Sequence, residues 1–183
     1  GKIYMLSVLM ECRNEEHLIA QSLASLVTGS VQGLVSDVIL LDHGSSDGTA
    51  ALADAVGCRH VENFDLQEVL KSARGQWILV IEPGARIMQT SWTEEIPEFI
   101  GLNLGPARFS PSPYHEMPIW KRFFMRRNPL ENGLLISKEH ALRGASFGLT
   151  LSEIAKTSQT RKLLAQMVPA WVLASKSGAS AAL

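Results

Sequence analysis

Three short stretches bring reactive side chains together: Glu11-Cys12-Arg13-Asn14, Asp42-His43-Gly44-Ser45-Ser46 and Glu82-Pro83-Gly84-Ala85-Arg86. Each follows an apolar run, so each falls where a strand gives way to a loop. Glu11 and Glu82, with the imidazole of His43, have the groups needed for a charge-balanced cluster or for an unusual metal site. Asp42 is either a ligand contact or a turn residue that accepts from backbone amides ahead of Gly44. A fourth cluster, Trp120-Lys121-Arg122-Phe123-Phe124-Met125-Arg126-Arg127, mixes cations with aromatics.

The elements that position these groups follow from periodicity. Residues 4–10, 37–41 and 77–81 are nearly continuous apolar runs, as in strands buried on both faces. A helix of about three turns starts at Asn14 as N-cap, with Glu15 and Glu16 in an acidic first turn and Ile19, Leu23, Leu26 and Val27 on one face. A second helix covers 47–56 and closes at Gly57, followed by a short strand at 58–61. The third begins at Asp65 with Glu68 three residues on, carries Leu66, Val69, Leu70 and Ala73, and stops at Gly75. This alternation predicts an α/β/α sandwich with a mostly parallel central sheet, Rossmann-like in layering. Ligands in such sheets sit beyond the carboxyl ends of the strands, where all three loops fall.

The second half is less regular. Ser91 and Glu94 open a helix limited by Pro97; 107–110 reads as an edge strand, 133–137 as a strand and 138–142 as a helix. One or two helices are expected between Ser152 and Val172, and 163–174 is apolar enough to touch a membrane surface. The chain reads as a single domain, 1–183, whose small-residue tail, 177–183, is flexible.

Composition narrows the class. With 183 residues, 46% hydrophobic and 19% charged, the chain can bury about 70% of its unfolded surface in a core without metal or disulfide staples. Seventeen basic residues against eighteen acidic give a net charge of −1, which argues against nucleic acid as a partner. Cys12 and Cys58 lack metal-ligand or disulfide-framework spacing. No run approaches twenty apolar residues, so no transmembrane segment is expected, and the reading is cytoplasmic.

The first half resembles the family 2 glycosyltransferases, which have the GT-A fold. Three stretches carry the resemblance in order: Ser7-Val8-Leu9-Met10-Glu11-Cys12-Arg13-Asn14-Glu15-Glu16, Asp37-Val38-Ile39-Leu40-Leu41-Asp42-His43-Gly44-Ser45-Ser46-Asp47-Gly48-Thr49 and Ala73-Arg74-Gly75-Gln76-Trp77-Ile78-Leu79-Val80-Ile81-Glu82. The resemblance implies that 3–87 bind a nucleotide-sugar (UDP-, GDP- or dTDP-linked) through Glu11, Asn14, Asp42, His43, Arg74 and Glu82. It implies that 88–176 form an abbreviated acceptor half. It also implies Mg²⁺ or Mn²⁺ as cofactor, with Glu82 as metal ligand, and inverting transfer to an acceptor hydroxyl with Glu153 as catalytic base. A Ser-x-Glu start to a helix is the competing reading of Glu153.

The departures fall on the functional positions. His43 replaces a base-binding aspartate, and Glu82-Pro83-Gly84 replaces the metal-binding Asp-x-Asp, so the second carboxylate is missing. Arg13, Arg74 and Arg86 are then the groups available to neutralise a diphosphate. These changes keep open a catalytically inactive protein- or glycan-binding module on the same fold. The Trp120–Arg127 cluster suits a phosphate-bearing or lipid-linked acceptor and peripheral membrane contact; its alternative is a helix with Trp120, Phe123 and Phe124 in the core.

Overall fold

The structure is a computed structural model that describes residues 5–126 and 128–174. One sheet runs through both halves in the order β3-β2-β1-β4-β7-β6-β8-β5. β1 (Leu6–Cys12) lies between β2 (Val35–Asp42) and β4 (Trp77–Val80), and β3 (Arg59–Glu62) edges β2, all in parallel. β7 (Leu134–Ser137) joins antiparallel to β4 and to β6 (Ala107–Pro111). β8 (Arg161–Val168) pairs parallel with β6 and antiparallel with the two-residue β5, Arg86–Ile87. Four of these seven ladders are parallel, and the α/β/α expectation holds.

The two-residue period of the strands separates two cores. Leu6, Val8, Met10 and Cys12 of β1 face one way, against α1 (Glu16–Val31), α2 (Thr49–Val56) and α4 (Trp92–Gly101). Leu9 faces the other way with Ile39, Leu41, Ile78 and Val80, under α3 (Leu66–Ser72), α6 (Lys138–Ser146) and α7 (Leu151–Thr157). Gly57 closes α2 at φ 77°, and the Asp65 carboxylate accepts from the amides of Gln67 and Glu68 to cap α3, as the sequence predicts.

Several expectations are overturned. α1 has sixteen residues rather than three turns, and its cap is not Asn14, which sits one position further out at φ 53°. Helix α3 ends at Ser72; Gly75 instead marks a close backbone approach, since a Cβ there would lie 2.4 Å from Ser7 N. β6 is an interior strand, not an edge. Of the one or two helices expected between Ser152 and Val172, α7 is found, but residues 161–168 form β8, whose Leu163, Ala165 and Met167 are buried in the first core rather than at a membrane surface. The short helix α5 (Ile119–Phe124) has no buried residue, so Trp120, Phe123 and Phe124 are not core. The tail 177–183 and the start of the first predicted strand lie outside the described residues.

Candidate functional site

The loops after β1 and β2 are bonded to each other. Asn14 N donates to Ser45 Oγ at 2.9 Å, and Asn14 Oδ1 accepts from the amides of Ser46 at 2.7 Å and Asp47 at 3.3 Å. Glu16 Oε2 accepts from Gly48 N at 3.0 Å, while Glu16 N donates to Asp47 Oδ2 at 3.0 Å. Asp47 Oδ1 also accepts from Thr49 N and Oγ1, so one carboxylate satisfies the first amides of both α1 and α2. The Thr49 hydroxyl, followed by those amides, holds the Asp47 carboxyl below the ordinary carboxylate value. A Cβ at position 48 would lie 2.6 Å from the Glu16 carboxylate, so a larger residue there displaces that side chain and its bond to the amide of residue 48.

Strand alternation then splits the predicted cluster between two faces of the sheet. Glu11 projects from the Leu9 face, and His43 follows Leu41 on that side; Glu11 Oε2 and His43 Nε2 lie 2.7 Å apart, with the Phe64 ring edge-on to His43 at 5.2 Å. Asp42 points to the opposite face. Its Oδ1 accepts from Ser45 N at 2.8 Å and Ser45 Oγ at 2.6 Å, and its Oδ2 pairs with His60 Nε2 at 2.6 Å. Burial pushes the Asp42 carboxyl up, but the bonds from Ser45 and His60 outweigh it and leave it below its ordinary value. Glu62 stands in register with Asp42, and His60 is two residues before it on the same face of β3. Donor atoms of Asp42, His60 and Glu62 all fall within 4.8 Å of one another.

Glu82 follows β4, and its Oε1 accepts from Asn128 Nδ2 at 2.7 Å. Burial raises its pKa, and the Asn128 bond opposes the rise in part. The next residues form a tight turn: Ala85 N donates to Glu82 O at 3.0 Å, with Pro83 at the second position and Gly84 third at φ 98°. This is a type II arrangement, for which proline and glycine suit those places. Gly84 is thus a backbone requirement as well as a lost ligand, and Glu82 alone does not make the two-carboxylate metal site that the resemblance implies. An imidazole with two carboxylates, as at Asp42, His60 and Glu62, is a donor set suited to Zn²⁺ or Mn²⁺ more than to Mg²⁺; an ion there would replace the Asp42–His60 hydrogen bond.

The remaining predicted residues are dispersed. Arg74 precedes β4, at the N-terminal end of the strands, where its amide donates to Asp37 Oδ2 at 3.2 Å. It therefore lies across the sheet from the rim, since a residue before a parallel strand cannot reach the carboxyl ends. Glu153 sits in the first turn of α7, where Thr150 Oγ1 accepts from its amide and lies 3.2 Å from its Oε1. Among the described residues it has no hydrogen bond to the rim. Arg86, on β5, lines a cleft of about 600 Å³ with Gln21, Ser25 and His115, and its buried Nε has no hydrogen-bond partner among the described residues. His60 and Glu62 escaped the sequence reading, although a His-x-Glu alternation on the strand following Asp42 was the available signal.

No protein-family model matches the chain. It is 33% identical over 95 residues to a TPR repeat-containing protein of Synechococcus elongatus, a match that covers 48% of this chain and 22% of that protein. Among solved structures it is similar to Staphylococcus aureus TarS residues 1–349, with a TM-score of 0.59 at 15% identity over 82% of this chain and 53% of that one. It is also similar to glucosyl-3-phosphoglycerate synthase of Mycobacterium tuberculosis, solved with Mn²⁺, UDP-glucose and phosphoglyceric acid; there the TM-score is 0.53 at 20% identity over 75% and 57% of the two chains. The chain thus spans little more than half of the structures it matches and under a quarter of the curated relative. No described helix is long and apolar enough to cross a membrane. The chain is an α/β protein whose mostly parallel sheet matches the fold of the GT-A glycosyltransferases.

Proposed function

We propose that this chain is a glycosyltransferase-like domain that binds a nucleotide-sugar at the carboxyl ends of β1, β2 and β4. The observation that carries the reading is the bonding of the Asn14–Glu16 loop to the Ser45–Thr49 loop, which builds one rim at the place where sheets of this kind take ligands. Glu11 and His43 are the side chains free enough of the core to meet a base or ribose, with Phe64 beside them. The neighbour's complex with UDP-glucose and Mn²⁺ makes a uridine nucleotide the first donor to test. Transfer to an acceptor hydroxyl, with inversion and with Glu153 as base, is the catalytic extension of this reading.

A second reading is favoured by how the carboxylates are used. Asp42 is occupied by Ser45 and His60, Glu82 by Asn128, and Glu153 by its own helix start. These contacts support a domain that keeps the fold and recognises a sugar or protein partner without catalysis. Calorimetry with UDP-, GDP- and dTDP-sugars, with and without Mn²⁺, separates the two. Nucleotide binding that is lost in Glu11→Ala and His43→Ala supports the first reading, whereas no binding of any donor overturns it. If Mn²⁺ enhances binding, His60→Ala removes the enhancement where the Asp42, His60 and Glu62 group holds the ion, and Glu82→Ala removes it where Glu82 does.

A further inference from the structure

The helix α5 and the two residues after it hold a group of large apolar side chains in water. Ile119 is 75% exposed, Trp120 63%, Phe123 84% and Phe124 88%, and Met125 and Arg126 are exposed as well. At roughly 100° per residue, Ile119, Phe123, Trp120 and Phe124 occupy one continuous arc of about 140°, while Lys121 and Arg122 fall on the other side. Lys121 Nζ stands 5.5 Å from the centroid of the Trp120 ring, so cation and aromatic are held side by side. Residues 119–127 hold four of the chain's 17 basic residues and no acidic one, in a molecule of net charge −1. Single exposed apolar residues are ordinary, but a contiguous aromatic group marks a surface that something covers.

The cations decide what covers it. Aromatics that enter the headgroup boundary, beside lysine and arginine that meet anionic headgroups, form the pattern of an interfacial membrane helix. A six-residue helix is too short to offer the i to i+7 row of anchors by which helices seat in protein grooves. The segment is also tied to the rim: Phe124 is four residues before Asn128, which donates to Glu82, so at most about 14 Å of chain separates them. We infer that α5, with Met125 and Arg126, docks the protein on the surface of an anionic lipid bilayer and holds the Glu82 end of the sheet close to the headgroups. The docking stands whether or not the rim binds a nucleotide-sugar; if it does, the acceptor presented there is a lipid-linked one.

The test is co-sedimentation of the 183-residue chain with vesicles of phosphatidylcholine alone and of phosphatidylcholine with phosphatidylserine. Binding is expected to the second kind, falling as salt rises, with Trp120 fluorescence shifted to the blue and quenched by brominated lipid. Phe123→Ser with Phe124→Ser should lower the partition coefficient at least tenfold, and Lys121→Glu or Arg122→Glu roughly fivefold or more each. All four side chains are exposed, so the variants should keep the wild-type melting temperature and nucleotide affinity, which separates this test from that of the rim. Absence of binding to anionic vesicles overturns the inference, as does equal binding by wild type and the Phe variants. A concentration-dependent dimer that Phe123→Ser with Phe124→Ser abolishes would assign the surface to a second copy and overturn it too.

Discussion

Replacement of Asp42 distinguishes bracing from ligand contact. The Asp42 side chain is fully buried and receives three short bonds, from Ser45 N, Ser45 Oγ and His60 Nε2, at 2.8, 2.6 and 2.6 Å. A hydrogen bond to a charged group contributes about 1.5–3 kcal/mol, and such bonds do not add fully. Asp42→Asn keeps an acceptor for Ser45 but places an amide against His60, so a loss of about 1–3 kcal/mol follows. Asp42→Ala removes every acceptor and leaves Ser45 N, Ser45 Oγ and His60 Nε2 without their partner, at a cost of about 3–5 kcal/mol. The assay is urea unfolding at a series of pH values. Because the folded carboxyl sits below its ordinary value, its contribution is complete above about pH 4 and is lost as pH falls through the folded value. The gap between wild type and Asp42→Asn should therefore be present at pH 7 and close in acid. An Asn variant within about 0.5 kcal/mol of wild type at pH 7, or a gap that persists unchanged in acid, refutes the bracing role. Nucleotide affinity lost without any loss of stability would make Asp42 a ligand contact instead.

Two further perturbations follow from the geometry. Gly84→Asp, the direct way to restore a second carboxylate after β4, should destabilise by about 1–3 kcal/mol, because position 84 has φ 98° and a Cβ there would meet Leu18 at 3.3 Å; Asn128→Asp places the second carboxylate beside Glu82 without that strain and should bind Mn²⁺ more tightly by calorimetry. Burial first, then the nearby Asp42 and Glu15 carboxylates, push the Cys12 thiol up to about 12, and burial raises Cys58 as well. Cys12 should therefore resist a thiol reagent at pH 8 until the chain unfolds, with Cys58 reacting first; above pH 9 wild type should lose stability relative to Cys12→Ala, because only the unfolded thiol ionises there.

The three-layer architecture and the first four strands were legible because their signals are local: apolar runs, Gly57 at a left-handed helix end and Asp65 at a cap. The misreadings occur where distant partners decide. Arg161–Val168 contains Leu, Ala, Gln, Met, Lys and Arg, all good helix formers, yet pairing with β6 and β5 makes it a strand, and the alternation of Leu163, Ala165 and Met167 was the weaker signal that mattered. Asn14 has the composition of a cap, but its amide oxygen is taken by Ser46 and Asp47, thirty-two and thirty-three residues away. For the site, the three loops were placed correctly at one end of the sheet. The division of Asp42 from His43 onto opposite faces was readable from the strand period. The filling of Asp42 by His60, and of Glu82 by Asn128, depends on long-range packing that spacing does not encode.

The bonding of the first two loops has a consequence for motion. Six hydrogen bonds between residues 14–16 and 45–48 join the starts of α1 and α2, so the loops cannot open one at a time. A ligand that pushes on either loop must strain both helix starts, and the amides of Asn14, Glu16, Ser46, Asp47 and Gly48 should exchange with solvent as one cooperative unit. The rim is in that sense a hinge plate with a single setting.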